Sequence, residues 1–180
     1  MSWIDQRPDG ATETAGAGPL KTVEAALFRE AMARLGAAVH VVTTAGPGGR
    51  TGFTATAIIS VSDQPATLLV CLNRQSQVTP ALQQNGVLCV NTLGAGEAAI
   101  ADIFAGRTGI FMEERFKHGQ WTTLKTGSPV LASAVIAFDC RIFEVKVIAS
   151  HNVYFCAVEA IRHGPAGPVL VYHERAYKRV

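Results

Sequence analysis

The chain has 180 residues, 48% of them hydrophobic and only 17% charged, with a formal net charge of +2. That length suits one domain with a substantial core, and the near-neutral balance, without a dense Lys/Arg stripe, excludes a nucleic-acid binder. So thin a charged coat predicts that some apolar surface is covered by a partner subunit or a ligand. Residues 1–20, MSWIDQRPDGATETAGAGPL, lack the apolar centre of a signal peptide and read as a flexible extension, leaving 21–180 as the domain. No apolar run reaches the roughly 18 residues that a membrane span needs.

In TVEAALFREAMARLG, Thr22 is placed to cap a helix, Ala25, Leu27, Phe28, Met32 and Leu35 form its apolar stripe, and Gly36 stops it. The β-branched run AAVHVVTT (37–44) reads as a strand, and the turn AGPGGR returns it as a hairpin into GRTGFTATAIISVS (49–62). That second strand alternates. Phe53, Ala55, Ala57, Ile59 and Val61 fall on one face and Thr54, Thr56, Ile58, Ser60 and Ser62 on the other, with no charged side chain from Thr51 to Ser62. ATLLVCLN (66–73) follows Pro65 as a strand. TPALQQNG is a short helix with Thr79 as cap, Pro80 at its first position and Gly86 at its end.

VLCVNTL (87–93) is the next strand, with a helix after it from about Glu97 to Phe104. The segment from Ala105 to Pro129 holds four glycines and no sustained period, so it is a long excursion with one helical turn at MEERF. Strands resume from about Ala134 to Ile148, then in VYFCAVEAIRH and PVLVYHE, and HERAYKRV reads as a solvated tail. Helices are inserted between strands that otherwise follow one another. The expected class is mainly β, an antiparallel sheet closed into a barrel with a few peripheral helices.

Cys71, Cys89, Cys140 and Cys156 lie in apolar runs, with no C-x-x-C pair and no histidine at ligand spacing. They read as reduced core residues of a cytoplasmic protein, and no metal site is expected. GPGGRTG matches no phosphate-loop pattern and runs into a strand, and there is no G-x-S-x-G, no H-E-x-x-H and no helical carboxylate pair. What remains is the hydroxyl face beside a glycine-rich turn. It is either a solvent face or a hydrogen-bonding surface for a flat heterocycle, with Gly52 allowing close backbone approach.

GFTATAIISVSDQPATLLVCLNRQS, NGVLCVNTL, FAGR, EERF, TGSPVL, AFDCRI and SHNVYFCAVEAI, in that order, resemble the flavin reductase-like family, the NAD(P)H-dependent reductase components of two-component flavin monooxygenases. The likeness runs from about Phe28 to Tyr177. It implies a split β-barrel homodimer that binds FMN or FAD near the subunit interface, takes hydride from NADH or NADPH and hands reduced flavin to an oxygenase component. It places flavin contacts on Arg50, Thr51, Gly52, Phe53, Thr54, Thr56 and Ala57, on Cys71, Leu72 and Asn73, on Ser76, Gln77 and Val78, and on Ile103 and Phe104. Phe104 either packs on the flavin or serves the core.

The resemblance also brings His151 to the nicotinamide as the catalytic candidate, although the family's Gly-Asp-His step is here Ala149–Ser150–His151, without the acid. Taken alone, a histidine at a strand start is more often structural than catalytic. Tyr172 and Tyr177 match the family's C-terminal aromatics, and Tyr177 either approaches the nicotinamide or packs. Two other activities stay open at this level: reduction of a different acceptor such as a cobalt corrinoid, and non-catalytic flavin binding.

Overall fold

The computed structural model describes residues 21–180, which divide after Met32, with Ala33–Val180 as one compact unit. The expected flexible extension lies outside the described residues. Helix α1 (Ala25–Ala33) begins three residues after Thr22, the expected cap.

From Ala33 onward the chain is mainly β. It runs through β1 (Ala37–Ala38), β2 (His40–Thr44), β3 (Thr51–Ala55), β4 (Ile58–Asp63), β5 (Ala66–Asn73), α2 (Thr79–Asn85), β6 (Val87–Thr92) and α3 (Ala98–Phe104). A 3₁₀ helix (Met112–Lys117), β7 (Trp121–Thr123) and β8 (Pro129–Leu131) fill the excursion, and β9 (Ile136–Ile148), β10 (His151–His163), β11 (Leu170–His173) and β12 (Ala176–Arg179) complete it. In α2, Gly86 closes the helix at φ 65°, as its freedom at positive φ allows. Val78 rather than Thr79 is the N-cap; Thr79 is the first helical residue, and its hydroxyl donates to the Asn73 carbonyl at 3.4 Å.

The alternating stretch 49–62 is not one strand. It breaks at Thr56 and Ala57 into β3 and β4, which stand at opposite edges of a seven-stranded antiparallel sheet ordered β3-β2-β6-β9-β10-β5-β4. Laid flat, seven strands span roughly 29 Å at a spacing of about 4.8 Å. Three Cα steps from Ala55 to Ile58 cover at most about 11 Å. The sheet therefore curls until its two edges approach. Alternation survives the break because both strands keep a period of two, so the pattern alone could not show it.

The concave face carries the main core. Val42, Phe53, Leu68, Val70, Leu72, Leu88, Val90, Tyr154 and Cys156 pack there with Leu82 of α2, and Ala55 and Ile58 seal the gap between the edges. The opposite side of β2 is also apolar. Val39 and Val41 pack under α3 and the excursion, against Ala101, Phe104, Phe116 and Leu131. Strand β2 is thus buried on both faces, which its β-branched run suits. Asn91, fully buried, locks β8 onto this layer: its amide donates to the Val41 carbonyl at 3.0 Å and its oxygen accepts from Leu131 N at 2.8 Å.

The expected tail is ordered instead. β11 and β12 form a hairpin over Glu174 and Arg175, whose positive φ values of 49° and 60° suit the tight two-residue turn. No Asn or Gly marks that turn, so the sequence hid it. All four cysteines are free; Cys89, Cys140 and Cys156 are buried, and burial pushes the Cys156 thiol up to about 12. Among the described residues no helix is long and apolar enough to cross a membrane, and no cluster of three or more metal-ligating side chains occurs.

Candidate functional site

The end of β5 turns sharply because Asn73 accepts twice. Its side-chain oxygen takes Gln75 N at 2.9 Å and its carbonyl takes Ser76 N at 3.0 Å. The turn presents Ser76, Gln77 and Val78 beside Leu72, facing Phe53 and Thr54 of β3. Phe104 and Ala105 at the end of α3, with Met112 and Arg115 of the 3₁₀ helix, complete a cavity of about 230 Å³. Seven residues expected at the site from three separate stretches, Phe53, Thr54, Leu72, Ser76, Gln77, Val78 and Phe104, therefore line one space.

Phe104 is a core residue that also lines this cavity. It is 1% exposed, stacks edge-on to Phe116 at 5.3 Å between ring centroids, and still borders the cavity. Gly52 is constrained by packing inside the protein. A Cβ there would stand 2.7 Å from the Val42 carbonyl and 3.1 Å from the Phe104 ring, so the glycine admits Phe104. Thr54 gives its proton to the Ala101 carbonyl at 2.6 Å, which leaves its oxygen to accept from a ligand. The Ser76 hydroxyl accepts from Val78 N at 3.3 Å and keeps its own proton free to donate.

Thr54 and Ala105 also border a neighbouring cavity of about 180 Å³ that Thr56, Arg107, Tyr172 and Tyr177 line. There the Tyr177 hydroxyl donates to Asp102 Oδ1 at 3.0 Å, and Arg107 meets the same oxygen at 2.9 Å. Burial, with the Asp102 carboxylate second, pushes the Tyr177 phenol up to about 12.

His151 lies across β10 from Asn73, its register partner on β5. Its side chain is exposed and Nδ1 shares a hydrogen bond with Ser150 Oγ at 2.9 Å, so Ser150 orients the ring where an acid was missing. Ser150 and Asn73 also border a third cavity of about 440 Å³ with Arg74 and Gln75.

The other expected residues stand behind or beside these cavities. Arg50 pairs with Glu113 at 3.3 Å and lies 4.7 Å over the Phe116 ring; the Thr51 hydroxyl donates to Met112 Sδ at 3.2 Å. Ile103 is buried in the outer core, Cys71 is half-buried in β5, and the Ala57 carbonyl accepts from Cys71 N at 3.1 Å.

Sequence reasoning missed Met112 and Arg115, although both lie in the helical turn it placed at MEERF. Arg115 is half-buried. Its Nε donates to the Ile110 carbonyl at 3.1 Å and its Nη1 to the carbonyls of Gly52 and Phe104 at 3.3 and 3.5 Å. With aliphatic and aromatic walls and a few fixed polar groups, the main cavity suits a planar heterocycle bearing polar substituents.

A family profile described as flavin reductase like domain matches residues 32–180. The chain is 54% identical over 156 residues to an FMN reductase (NADH), RutF 1, of Methylorubrum extorquens, covering 87% of this chain and 77% of that one. It resembles the crystal structure of a Haemophilus somnus 129PT protein taken to be a flavin reductase, with TM-score 0.84 and 46% identity over 88% of this chain and all of that one. The flavin reductase PheA2 in its native state superposes with TM-score 0.80 at 25% identity, covering 88% and 99% of the two chains.

Proposed function

The chain belongs to the flavin reductase-like family, and from that premise we propose that it is an NADH:FMN oxidoreductase whose reduced flavin passes to an oxygenase component. The observation that carries the reading is the convergence of Thr54, Leu72, Ser76 and Phe104, distant in sequence, on one cavity. The printed activity of the 54%-identical relative supports FMN and NADH as the pair. When bound, the flavin would supply the hydride acceptor, its N5, and the nicotinamide would supply the hydride.

The residues then bind, orient and exclude water. Phe53, Leu72, Val78 and Phe104 give the cavity apolar walls, the Thr54 oxygen accepts and the Ser76 hydroxyl donates. His151, held by Ser150, borders the nicotinamide side. No proton donor is needed for the hydride step, in keeping with an exposed histidine rather than a buried catalytic pair.

The assembly is a homodimer of split-barrel subunits. Support for the barrel comes from the two sheet edges, which the two residues Thr56 and Ala57 join. Support for the dimer comes from β9, which β6 pairs only as far as Arg141. Beyond it Phe143, Val145, Val147 and Ile148 are exposed on an open edge, a surface that natural sheets cover.

NADH oxidation followed with and without added FMN, under anaerobic conditions, tests the reading. FMN-dependent consumption of NADH, with bleaching of the flavin, is expected. No consumption in the presence of FMN overturns it, and turnover only with a different acceptor replaces it.

A further inference from the structure

We propose that Arg115 anchors the flavin's phosphate and makes the site prefer FMN to riboflavin, an inference that rests on the flavin reductase reading above. Arg115 is the single charged side chain lining the main cavity, which no acidic residue borders. Arg50, Arg107 and Arg141 each have a carboxylate partner; Arg115 has none among the described residues. Three backbone carbonyls from three separate segments, Ile110, Gly52 and Phe104, hold it.

Those carbonyls fix the direction of the guanidinium without neutralising it. They use Nε and Nη1 and leave Nη2 without an acceptor among the described residues. A partly desolvated cation with unused donors is costly unless an anion completes it. Burial accordingly lowers the Arg115 pKa. The free proton of Ser76, on the same cavity, offers a second donor to an oxyanion.

A phosphate monoester is the flavin group that matches. It is a dianion in both redox states, and its oxygens suit guanidinium donors. The ring acquires negative charge only on reduction, so an anchor for the oxidised flavin must read the phosphate.

Fluorescence titration of the full chain with oxidised FMN and with riboflavin, for the wild type, Arg115→Met and Arg115→Lys, tests this. Arg115→Met is expected to weaken FMN binding by about ten- to a hundredfold, the range for loss of a charge-assisted hydrogen bond, while riboflavin affinity stays within about threefold. Arg115→Lys keeps the charge and recovers part of the loss. In the wild type, inorganic phosphate is expected to compete with FMN and not with riboflavin at matched ionic strength, a measurement that needs no variant. Equal losses for both flavins overturn the assignment in favour of a structural role. A raised KM for NADH with both flavin affinities unchanged moves Arg115 to the nucleotide. A wild type that binds FMN and riboflavin equally overturns it while the reductase reading stands; one that binds neither overturns both.

Discussion

Gly52 and the ring of Phe104 are in contact across β3 and α3, so close that a Cβ on Gly52 would fall 3.1 Å from two ring carbons and 2.7 Å from the Val42 carbonyl. The ring could yield, but the carbonyl belongs to the β2–β3 ladder and cannot move without breaking it. Gly52→Ala is expected to lower stability by about 1–3 kcal/mol, the cost of overpacking a close-packed layer. Because Phe104 borders the main cavity, flavin affinity should fall with it. Chemical denaturation of the two proteins checks the first effect; an unchanged midpoint shows that the layer is looser than its spacing.

Much of this layer could be read from the residues. The runs at 66–73 and 87–92 became strands because their apolar content and flanking Pro and Gly leave little choice, and Gly86 ended α2 where only a left-handed residue fits. Three things were hidden. The strand at 49–62 splits between two sheet edges, a tertiary fact invisible to a period of two. The hairpin of β11 and β12 turns on Glu174 and Arg175, residues that carry no turn signal. Arg115 drew no notice because a lone arginine on a helical turn is ordinarily a solvated charge; its importance comes from the carbonyls and the cavity around it.

Thr54 and Thr56 were equivalent in the sequence and are not in the fold. The Thr54 hydroxyl serves the Ala101 carbonyl at 2.6 Å, whereas Thr56 is exposed and makes no hydrogen bond to a described side chain. Thr54→Val should cost about 0.5–1.5 kcal/mol of stability, the net worth of one hydrogen bond tying β3 to α3, since the Ala101 carbonyl keeps its helix bond from Ala105 N at 2.9 Å. Thr56→Val should leave stability within about 0.5 kcal/mol. Equal melting shifts for the two variants would count against the Thr54 bond as a structural tie.

His40 sets an acid limit to stability. Burial in β2, where Nδ1 meets Thr92 Oγ1 at 3.0 Å, lowers its pKa from 6.5 to about 4. Above pH 6.5 both folded and unfolded chains hold it neutral and nothing is lost. As pH falls below 6.5 the unfolded chain takes up a proton that the folded chain refuses, so stability declines until about pH 4 and then levels off with respect to this group. The full loss is on the order of 3 kcal/mol. Urea unfolding between pH 7 and 4 should show the slope, and His40→Gln should flatten it; an unaltered slope in the variant assigns the acid sensitivity to carboxylates.

His151 gives the sharpest kinetic expectation. It lies opposite Asn73 at the mouth of the β5 turn, and Ser150 Oγ engages its Nδ1 at 2.9 Å, so the ring is oriented while its second nitrogen stays open. It does not line the main cavity, where the flavin is proposed to lie. His151→Ala should therefore leave FMN affinity within about threefold and lower kcat/KM for NADH by about ten- to a hundredfold, or about 1.4–2.7 kcal/mol of transition-state stabilisation. Ser150→Ala removes only the orienting bond and should give a smaller loss in the same parameter. Stopped-flow reduction without oxygen separates the cofactors, because flavin bleaching reports hydride transfer directly. A His151→Ala protein that binds FMN poorly yet reduces it at the normal rate would place this histidine on the flavin side instead.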